Sequence, residues 1–241
     1  MLNSCHIVDL GLIGYAEACA LQKRVVAARK AGAIEDVLLL CEHPHVITLG
    51  RNGKRENLLA SESVLRQKGV EFHATNRGGD ITYHGPGQIV GYPILNLGAI
   101  RRDVVWYVRM LEEALIRTTA EFGIVANRVT GKTGIWIENE TTEEKLAAIG
   151  VHISRWVTSH GFAYNVSTDL RYFELIVPCG IADRKATSLE KLLKRKVEEK
   201  EVAPKIAKHL GELFELEIRE TSKKELFEKL ELAEQAVTVS A

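Results

Sequence analysis

A glycine-rich run between two strongly β-prone segments constrains this chain more than any other feature. The run reads RGGDITYHGPGQIVGYPILNL over residues 77–97. Glycine reaches positive φ without a steric penalty and lets a backbone approach a ligand closely. A glycine inside a strand pattern often marks a bulge or such an approach. Two interpretations follow: the run is the wall of a substrate pocket, or it is a β-hairpin interrupted by glycines.

Side chains that can bind a ligand, orient it or exchange protons alternate with these glycines. They are Arg77, Asp80, Thr82, Tyr83, His84 and Gln88. In a pocket wall these side chains would face a substrate, whereas in a hairpin they would be exposed to solvent without a ligand. The pattern alone leaves both interpretations open.

Composition and charge limit the class of protein. The chain has 241 residues, of which 46% are hydrophobic and 27% charged, which is typical of a globular protein. Lysine plus arginine and aspartate plus glutamate each number 32, so nothing indicates nucleic acid as the main partner. No apolar run approaches the roughly 20 residues that span a bilayer, and the first residues do not resemble a signal peptide. We therefore expect a cytoplasmic protein without a membrane partner.

The strand and helix patterns predict an α+β fold in which helices flank a mixed β-sheet. After residue 124 the chain alternates apolar and polar residues in four segments separated by turns, which predicts an antiparallel meander. Earlier segments predict strands at 5–10, 36–42, 46–49 and 70–75, and helices at 15–30, 61–69 and 103–123. Strands and helices mixed in this way favour a sheet packed against helices.

The C-terminal part has a different composition. Residues 169–176 predict a short helix or turn, and Thr187 with Glu190 has the spacing of a capping box at the start of a helix. From residue 191 lysine and glutamate dominate, which predicts helices with one short strand near residues 216–218. We expect a single domain over residues 1–241, with a helical portion rich in lysine and glutamate from about residue 190.

The four cysteines show no paired spacing, which favours free thiols in a reducing compartment. Cys5, Cys19 and Cys41 fall within predicted elements and are expected to be buried. Cys179 lies in VPCGI, where a tight turn can expose the sulfur and leave the backbone N–H groups of Gly180 and Ile181 to face an oxyanion. Cys179 is therefore a candidate nucleophile.

A reactive thiolate requires a nearby cation or helix N-terminus. Lys145 begins the predicted strand KLAAIGVHIS, and either faces a pocket or is a solvated lysine at a strand edge. Candidate bases are His84, His152 and His160, and spacing does not choose among them. The His43 and His45 pair lacks an obvious third ligand, so a metal site is not favoured.

The glycine-rich run closely resembles the signature of the lipoyl(octanoyl) transferase family. Four further blocks resemble the family in the same order: EHPHVITLGRNGKRENLL, GKTGIWIE, KLAAIGVHISRWVTSHGFAYNV and FELIVPCGIADRKATSLE. The resemblance extends over roughly residues 9–193. Several long blocks in one order make a chance agreement very improbable.

This resemblance implies transfer of an octanoyl group from octanoyl-acyl carrier protein to a lysine of a lipoyl domain. The expected acceptors are 2-oxo acid dehydrogenases and the glycine cleavage H protein. Cys179 would carry the acyl thioester and Lys145 would activate the thiol and handle protons, with no cofactor, metal or ATP. The implied fold is that of biotin and lipoate protein ligase catalytic domains. The implied substrate contacts are Arg77, Gly78, Gly79, Asp80, Ile81, Thr82, Tyr83, His84, Ala148, Ile149, Gly150, Gly161, Phe162 and Ala163.

Two other functions remain as alternatives. An ATP-dependent lipoate-protein ligase would activate a free acid as an adenylate and would not need Cys179. A non-catalytic module would bind lipoyl domains without forming an acyl product. Because carrier proteins are usually acidic, Arg51, Lys54 and Arg55 form a predicted docking patch for the carrier.

Overall fold

The structure is a computed structural model, and it describes residues 3–138, 142–177 and 185–239. Among these residues nine strands form a large sheet in the order β12-β1-β2-β6-β10-β9-β8-β7, and β11 pairs with β9. The strands are β1 (Asn3–Leu12), β2 (Asp36–Glu42), β6 (Gln88–Ile94), β7 (Asn127–Val129), β8 (Lys132–Glu138), β9 (Glu143–Ser154), β10 (Val157–Asn165), β11 (Lys185–Ala186) and β12 (Leu216–Glu220). The sheet is mixed, because β1 pairs in parallel with β2 and β12, whereas β6 runs antiparallel to β2 and β10.

A second, three-stranded sheet has the order β4-β3-β5. Its strands are β3 (Val46–Leu49), β4 (Glu71–Ala74) and β5 (Ile81–His84). It has its own apolar core, which includes Ile47, Leu65 and Tyr83. The protein therefore places two sheets close together in one α+β architecture, and the predicted fold class is confirmed.

Helices cover both faces of the large sheet, and one further helix packs on the small sheet. The helices are α1 (Tyr15–Lys30), α2 (Glu62–Gln67), α3 (Leu97–Ile100), α4 (Val104–Ala120), α5 (Leu189–Leu193), α6 (Glu199–Phe214) and α7 (Lys223–Val239). Helix α2 is the one on the small sheet, where Leu65 packs in its core. In β2, Leu38 and Leu40 pack in the core that contains α4 and α6, whereas Val37 and Leu39 pack in the core that contains α1. Burial on both faces explains why the sequence of β2 is almost continuously apolar.

The glycine-rich run connects the two sheets. Its first strand, β5, pairs with β3 in the small sheet, whereas its second strand, β6, pairs with β2 and β10 in the large sheet. A turn in which the Gln88 N–H donates to the Gly85 carbonyl at 3.2 Å joins them. The hairpin interpretation is therefore wrong, because the two strands belong to different sheets.

Most predicted elements agree with the structure. The bounds predicted for α1, β2 and β3 match, the antiparallel meander appears as β7 to β10, and Ser61 and Asp103 cap α2 and α4. The predicted cap at Thr187 is wrong: the Thr187 N–H donates to the Lys145 carbonyl, so the chain is still extended there. Ser188 caps α5 instead, and a capping box occurs at Glu198 in α6.

Two of the three cysteines predicted to be buried are buried, namely Cys5 and Cys41. The prediction is wrong for Cys19, which is partly exposed. Cys19 lies beside the apolar stripe of α1, next to the fully buried Ala18, and therefore on the margin of the packed face. Burial raises the pKa of the Cys19 thiol.

The C-terminal portion packs into the same layers as the rest of the chain. Strand β12 extends the large sheet by pairing with β1. The short strand predicted near residues 216–218 is therefore confirmed. Helix α6 packs against α4, and α7 packs against α1. None of the helices within the described residues has the length and apolar character needed to cross a membrane.

Candidate active site

A cavity of about 460 Å³ lies between the two sheets. Strands β5, β6, β8, β9, β10 and β11 contribute to its walls, together with the loop that precedes β5. Of the predicted site residues, those lining it are Arg77, Gly79, Asp80, Ile81, Thr82, His84, Lys145, Ala148, Ile149, Gly150, Gly161, Phe162 and Ala163. Three separate stretches of sequence thus meet around one space, which the pocket-wall interpretation of the glycine-rich run requires.

Gly78 does not line the cavity but attaches its loop to the large sheet. The Gly78 N–H donates to the Val151 carbonyl of β9 at 2.8 Å. A Cβ added to Gly150 would lie 2.7 Å from the Gly78 carbonyl oxygen and 3.2 Å from Cδ of Arg77. Glycine is needed at residue 150 because the two backbones touch there.

The guanidinium of Arg77 is buried in the cavity wall, with 8% of the residue exposed. It donates to the Thr48 carbonyl at 2.7 Å, to the Thr48 hydroxyl at 2.9 Å and to the Gly78 carbonyl at 3.0 Å. These bonds hold the planar fork in a fixed orientation. A positive charge is therefore kept inside the cavity wall.

Two of the three candidate histidines line the cavity, and both are neutral near pH 7. Burial, with the neighbouring His43 and Arg77, lowers the pKa of His84 to about 3. Burial and Arg77 lower the pKa of His160 to about 4. The ring nitrogens of His84 and His160 bond to the side-chain oxygens of Gln88 and Asn76, each at 2.8 Å.

The third candidate histidine, His152, lies outside the cavity lining. Burial and the positive charges of Arg51 and Lys30 lower its pKa. His152 faces a separate groove beside α1, which Lys23, Lys30 and Arg155 also line. The structure therefore brings His84 and His160 together in the cavity, whereas His152 lines only the groove, which His160 also reaches.

Tyr83 also lies outside the cavity lining. Its side chain is fully buried in the core of the small sheet, where its hydroxyl bonds to Nδ1 of His45 at 2.7 Å and its ring stacks on Tyr172. Alternation along β5 explains this placement, because Thr82 and His84 face the opposite side. His43 bonds to the Ile13 carbonyl and to the Tyr92 hydroxyl, each at 2.7 Å, so both histidines of the pair have structural contacts.

Lys145 lines the cavity from the start of β9, as its pocket-facing interpretation predicted. Its Nζ lies 4.5 Å from the centroid of the Trp136 ring, and Trp136 is 1% exposed. Its backbone lies between neighbouring strands, because Trp136 of β8 and Ala186 of β11 are both its register partners. The ammonium group is thus placed by a sheet rather than by a loop.

Cys179 lies outside the described residues. The described residues on either side of it are near the cavity: the Val177 N–H donates to the Asn57 carbonyl at 2.7 Å, and Lys185 lines the cavity. Asn57 in turn donates to the Asp80 carboxylate at 2.7 Å. The chain therefore leaves the described region beside one wall of the cavity and returns beside Lys145.

Several cavity residues were not anticipated from the sequence. They include Tyr15, Val90, Tyr92, Lys132, Trp136 and Phe173. The alternation of TGIWIE marks Trp136 as a strand residue but does not reveal that Lys145 is its register partner. Only the pairing of β8 with β9 provides that information.

All three residues of the predicted docking patch, Arg51, Lys54 and Arg55, are exposed. The Arg55 guanidinium lies 4.2 Å from the centroid of the Phe72 ring. Arg55 also pairs with Glu62 at 3.9 Å. Docking at this patch stays a prediction.

Comparison with known proteins identifies the family. The model of the lipoyl protein ligase A/B catalytic domain matches residues 14–211. The chain belongs to this family. An octanoyltransferase of Acidobacterium capsulatum is 58% identical over 194 residues, which cover 77% of this chain and 79% of the relative. An octanoyltransferase of Solibacter usitatus is 52% identical over 217 residues, which cover 90% of this chain and 96% of the relative.

Solved structures of lipoate and biotin protein ligases share the fold. A bipartite lipoate protein ligase of Thermoplasma acidophilum superimposes with a TM-score of 0.75 at 17% identity, covering 97% of this chain and 91% of the ligase. A biotin protein ligase of Aquifex aeolicus gives a TM-score of 0.50 at 14% identity, covering 89% of this chain and 70% of that enzyme. These likenesses show the fold alone.

The comparisons confirm the predicted family and the prediction of an acyltransferase that acts on octanoyl groups in lipoylation. One of the structural neighbours is a lipoate-protein ligase A bound with ATP, which is 16% identical to this chain. The much closer sequence relatives are octanoyltransferases and therefore favour the transferase over the ligase alternative.

Proposed function

We propose that this chain moves the octanoyl group from octanoyl-acyl carrier protein to a lysine of a lipoyl domain through an acyl thioester on Cys179. The acceptors are lipoyl domains of 2-oxo acid dehydrogenases and the glycine cleavage H protein. The observation that carries the proposal is Lys145, whose ammonium group lines an acyl-sized cavity beside the returning chain at Lys185.

In the first half-reaction the Cys179 thiolate attacks the carbonyl carbon of the carrier thioester. The tetrahedral oxyanion collapses, the bond to the phosphopantetheine sulfur breaks, and the Lys145 ammonium gives its proton to that sulfur. Backbone N–H groups at Gly180 and Ile181 are the proposed donors to the oxyanion. The products are octanoyl-Cys179 and the carrier thiol.

In the second half-reaction the amine of the acceptor lysine attacks the Cys179 thioester. Neutral Lys145 takes the proton that the amine loses, and the Cys179 thiolate leaves as the amide forms. Because the exchange of a thioester for an amide is downhill, the scheme needs no ATP. The thiolate and the protonated Lys145 are both regenerated, so the cycle closes.

The cavity suits an extended apolar chain. Its volume lies within the range of about 300–1,000 Å³ found for small-molecule sites. Val90, Ile149 and Ala163 line it with apolar side chains, and Gly79 and Gly161 add no bulk. His84 and His160 are neutral and present hydrogen-bonding groups, whereas the charged side chains of the lining are Arg77, Asp80, Lys132, Lys145 and Lys185.

The proposed catalytic unit is the whole chain as a single domain. The pairing of β12 with β1 and the packing of α6 against α4 support this, because the C-terminal portion completes both the sheet and a helical layer. We propose that the enzyme works in the cytoplasm, where the free thiol of Cys179 would stay reduced.

Incubation with octanoyl-acyl carrier protein alone tests the proposal. The expected result is one added octanoyl group on Cys179, detected by intact-mass and peptide analysis, and none in Cys179→Ala. A full rate of transfer without any adduct would exclude the covalent scheme. A reaction of free octanoate that depends on ATP would favour the ligase alternative instead.

A further inference from the structure

Two lysines approach the same buried ring in the cavity wall. Nζ of Lys145 lies 4.5 Å from the Trp136 centroid, and Nζ of Lys132 lies 5.4 Å from it. Lys132 lies at the start of β8 and also lines the cavity. The position of one ammonium group therefore influences the electrostatic environment of the other.

The two residues before Lys145 are carboxylates, and each is held by a different lysine. Glu143 forms an ion pair with Lys132, whose side chain is 22% exposed. Glu144 binds Nζ of Lys191 through both oxygens, at 2.9 and 3.1 Å, and its side chain is 13% exposed. Lys132 comes from the neighbouring strand and Lys191 from α5, so two different elements provide the counter-ions.

Other charged or titratable groups face the same cavity as Lys145: Arg77, Asp80, His84, Lys132, His160 and Lys185. Behind β9, helix α4 carries Arg109, Glu112, Glu113 and Arg117. Glu112 is bound by Arg109 and Arg128. The two carboxylates closest to Lys145 in sequence are the ones that Lys132 and Lys191 neutralise.

An uncompensated carboxylate within about 4–6 Å of an ammonium group favours its charged form and raises its pKa by roughly 1–3 units. A group that donates a proton and later accepts one works best when its pKa lies near the operating pH. Glu143 lies two residues before Lys145 in β9 and therefore on the same face, whereas Glu144 faces the other side with Lys191. An unpaired Glu143 would therefore hold the proton that both half-reactions need to move.

We propose that Lys132 is a positioning residue that neutralises Glu143 and so keeps the proton of Lys145 transferable. This inference rests on the proposed function, because it assigns no chemistry beyond the Cys179 and Lys145 scheme. Lys132 acts in two ways: it removes the negative charge of Glu143, and it adds a like charge across the Trp136 ring.

Single-turnover transfer from preformed octanoyl-enzyme to a lipoyl domain, measured from pH 6 to 10, tests the proposal. In Lys132→Met the unpaired Glu143 should move the midpoint of the acidic limb upward by about 0.5–1 pH unit. In Glu143→Gln the unpaired Lys132 should move it downward. The double variant should return close to the original midpoint. Lys191→Met should move it much less, because Glu144, the partner of Lys191, lies on the other face of β9.

Lys200→Met is the matched control, because Lys200 also forms an ion pair, with Glu198, but lines a groove on another face. Its midpoint should not move. A merely structural role for Lys132 predicts a lower rate at every pH with an unchanged midpoint, and that result would overturn the proposal. Failure of the unaltered enzyme to load octanoate on Cys179 would overturn the proposed function itself.

Discussion

The aromatic ring of Phe162 in β10 lies directly over Gly91 in β6, its register partner across the large sheet. A Cβ on residue 91 would overlap three atoms of that ring. Phe162 lines the cavity and also packs in the core beneath α4 and α6. The contact between Phe162 and Gly91 therefore connects the cavity wall to the hydrophobic core of the large sheet.

Gly91→Ala should destabilise the protein by about 1–3 kcal/mol, because the new methyl group overpacks a closed core. Chemical unfolding of the variant measures this change. Phe162→Ala combined with Gly91→Ala should cost less than the two single changes added together, because the smaller residue leaves room for the methyl group. Gly14→Ala, which has open space and an ordinary φ, is the control and should change stability little. If the losses in free energy of unfolding of the two single variants simply added in the double variant, the predicted overlap between the new methyl group and the Phe162 ring would be contradicted.

Lys145→Ala should reduce octanoyl transfer by about 10²–10⁴-fold, the usual contribution of a positioned acid or base. The fold should persist, because the change removes only the side chain and the backbone bonds to neighbouring strands remain. Initial rates and circular dichroism check both expectations. Lys185→Ala, another lysine of the cavity lining, should lose less than tenfold. A Lys145→Ala enzyme of near-normal rate would mean that another residue activates the thiol.

Acidification should destabilise the protein before its carboxylates titrate. The pKa of His160 is about 4 in the folded protein, below its unfolded value of about 6.5, so the unfolded state binds the proton first. Stability conferred by neutral His160 is complete above pH 6.5 and declines as the pH falls towards 4. The limiting slope is about 1.4 kcal/mol per pH unit for each such group.

Urea unfolding at several pH values between 6.5 and 4.5 measures this slope. His84, with a pKa of about 3, contributes a slope of the same sign over the same interval. His160→Gln should reduce this slope by about the contribution of one proton. An unchanged slope in His160→Gln would show that this histidine is not held neutral.

Glu112→Ala should destabilise the protein by about 2–3 kcal/mol, less than the 3–5 kcal/mol of a fully buried pair, because its partner arginines are partly exposed. The Glu112 carboxylate is fully buried and binds Arg109 at 2.6 Å, Arg128 at 3.2 Å and the Gly134 N–H at 3.0 Å. Thermal unfolding measures the loss. Glu113→Ala removes a more exposed carboxylate of the same arginine cluster and should cost less than 1 kcal/mol.

Charge reversal at the predicted docking patch should weaken carrier binding. Arg51→Glu with Lys54→Glu should raise the Michaelis constant for octanoyl-acyl carrier protein several-fold and leave the turnover number unchanged. The effect should shrink at high salt, because exposed charges are screened. Steady-state kinetics at two salt concentrations measures it, with Lys224→Glu on α7 as the control. Equal Michaelis constants for the unaltered enzyme, the double variant and Lys224→Glu would show that the carrier does not dock at this patch.

The sequence predicted elements better than it predicted how they combine. The bounds of α1 and β2 follow from apolar periodicity, which depends only on local burial. The partner of β5 does not follow, because β5 and β6 are adjacent in the chain yet join different sheets. Strand pairing across the fold depends on packing that no local window contains.

The same limit applies to the site. Resemblance to a family indicated thirteen residues that line the cavity, whereas Tyr83 lies on the other face of its strand. Trp136 and Lys132 were missed because their importance comes from the register between β8 and β9, not from their residue types. The cap at Thr187 failed for a related reason, since a tertiary bond to Lys145 kept that residue extended.

The bond between Gly78 and Val151 attaches the loop before β5 to strand β9 through main-chain atoms alone. This bond therefore requires no particular side chain at residue 78 or 151. The loop that carries Arg77 and Asp80 is held against the large sheet by the backbone itself, whatever apolar residues form the rest of the cavity wall.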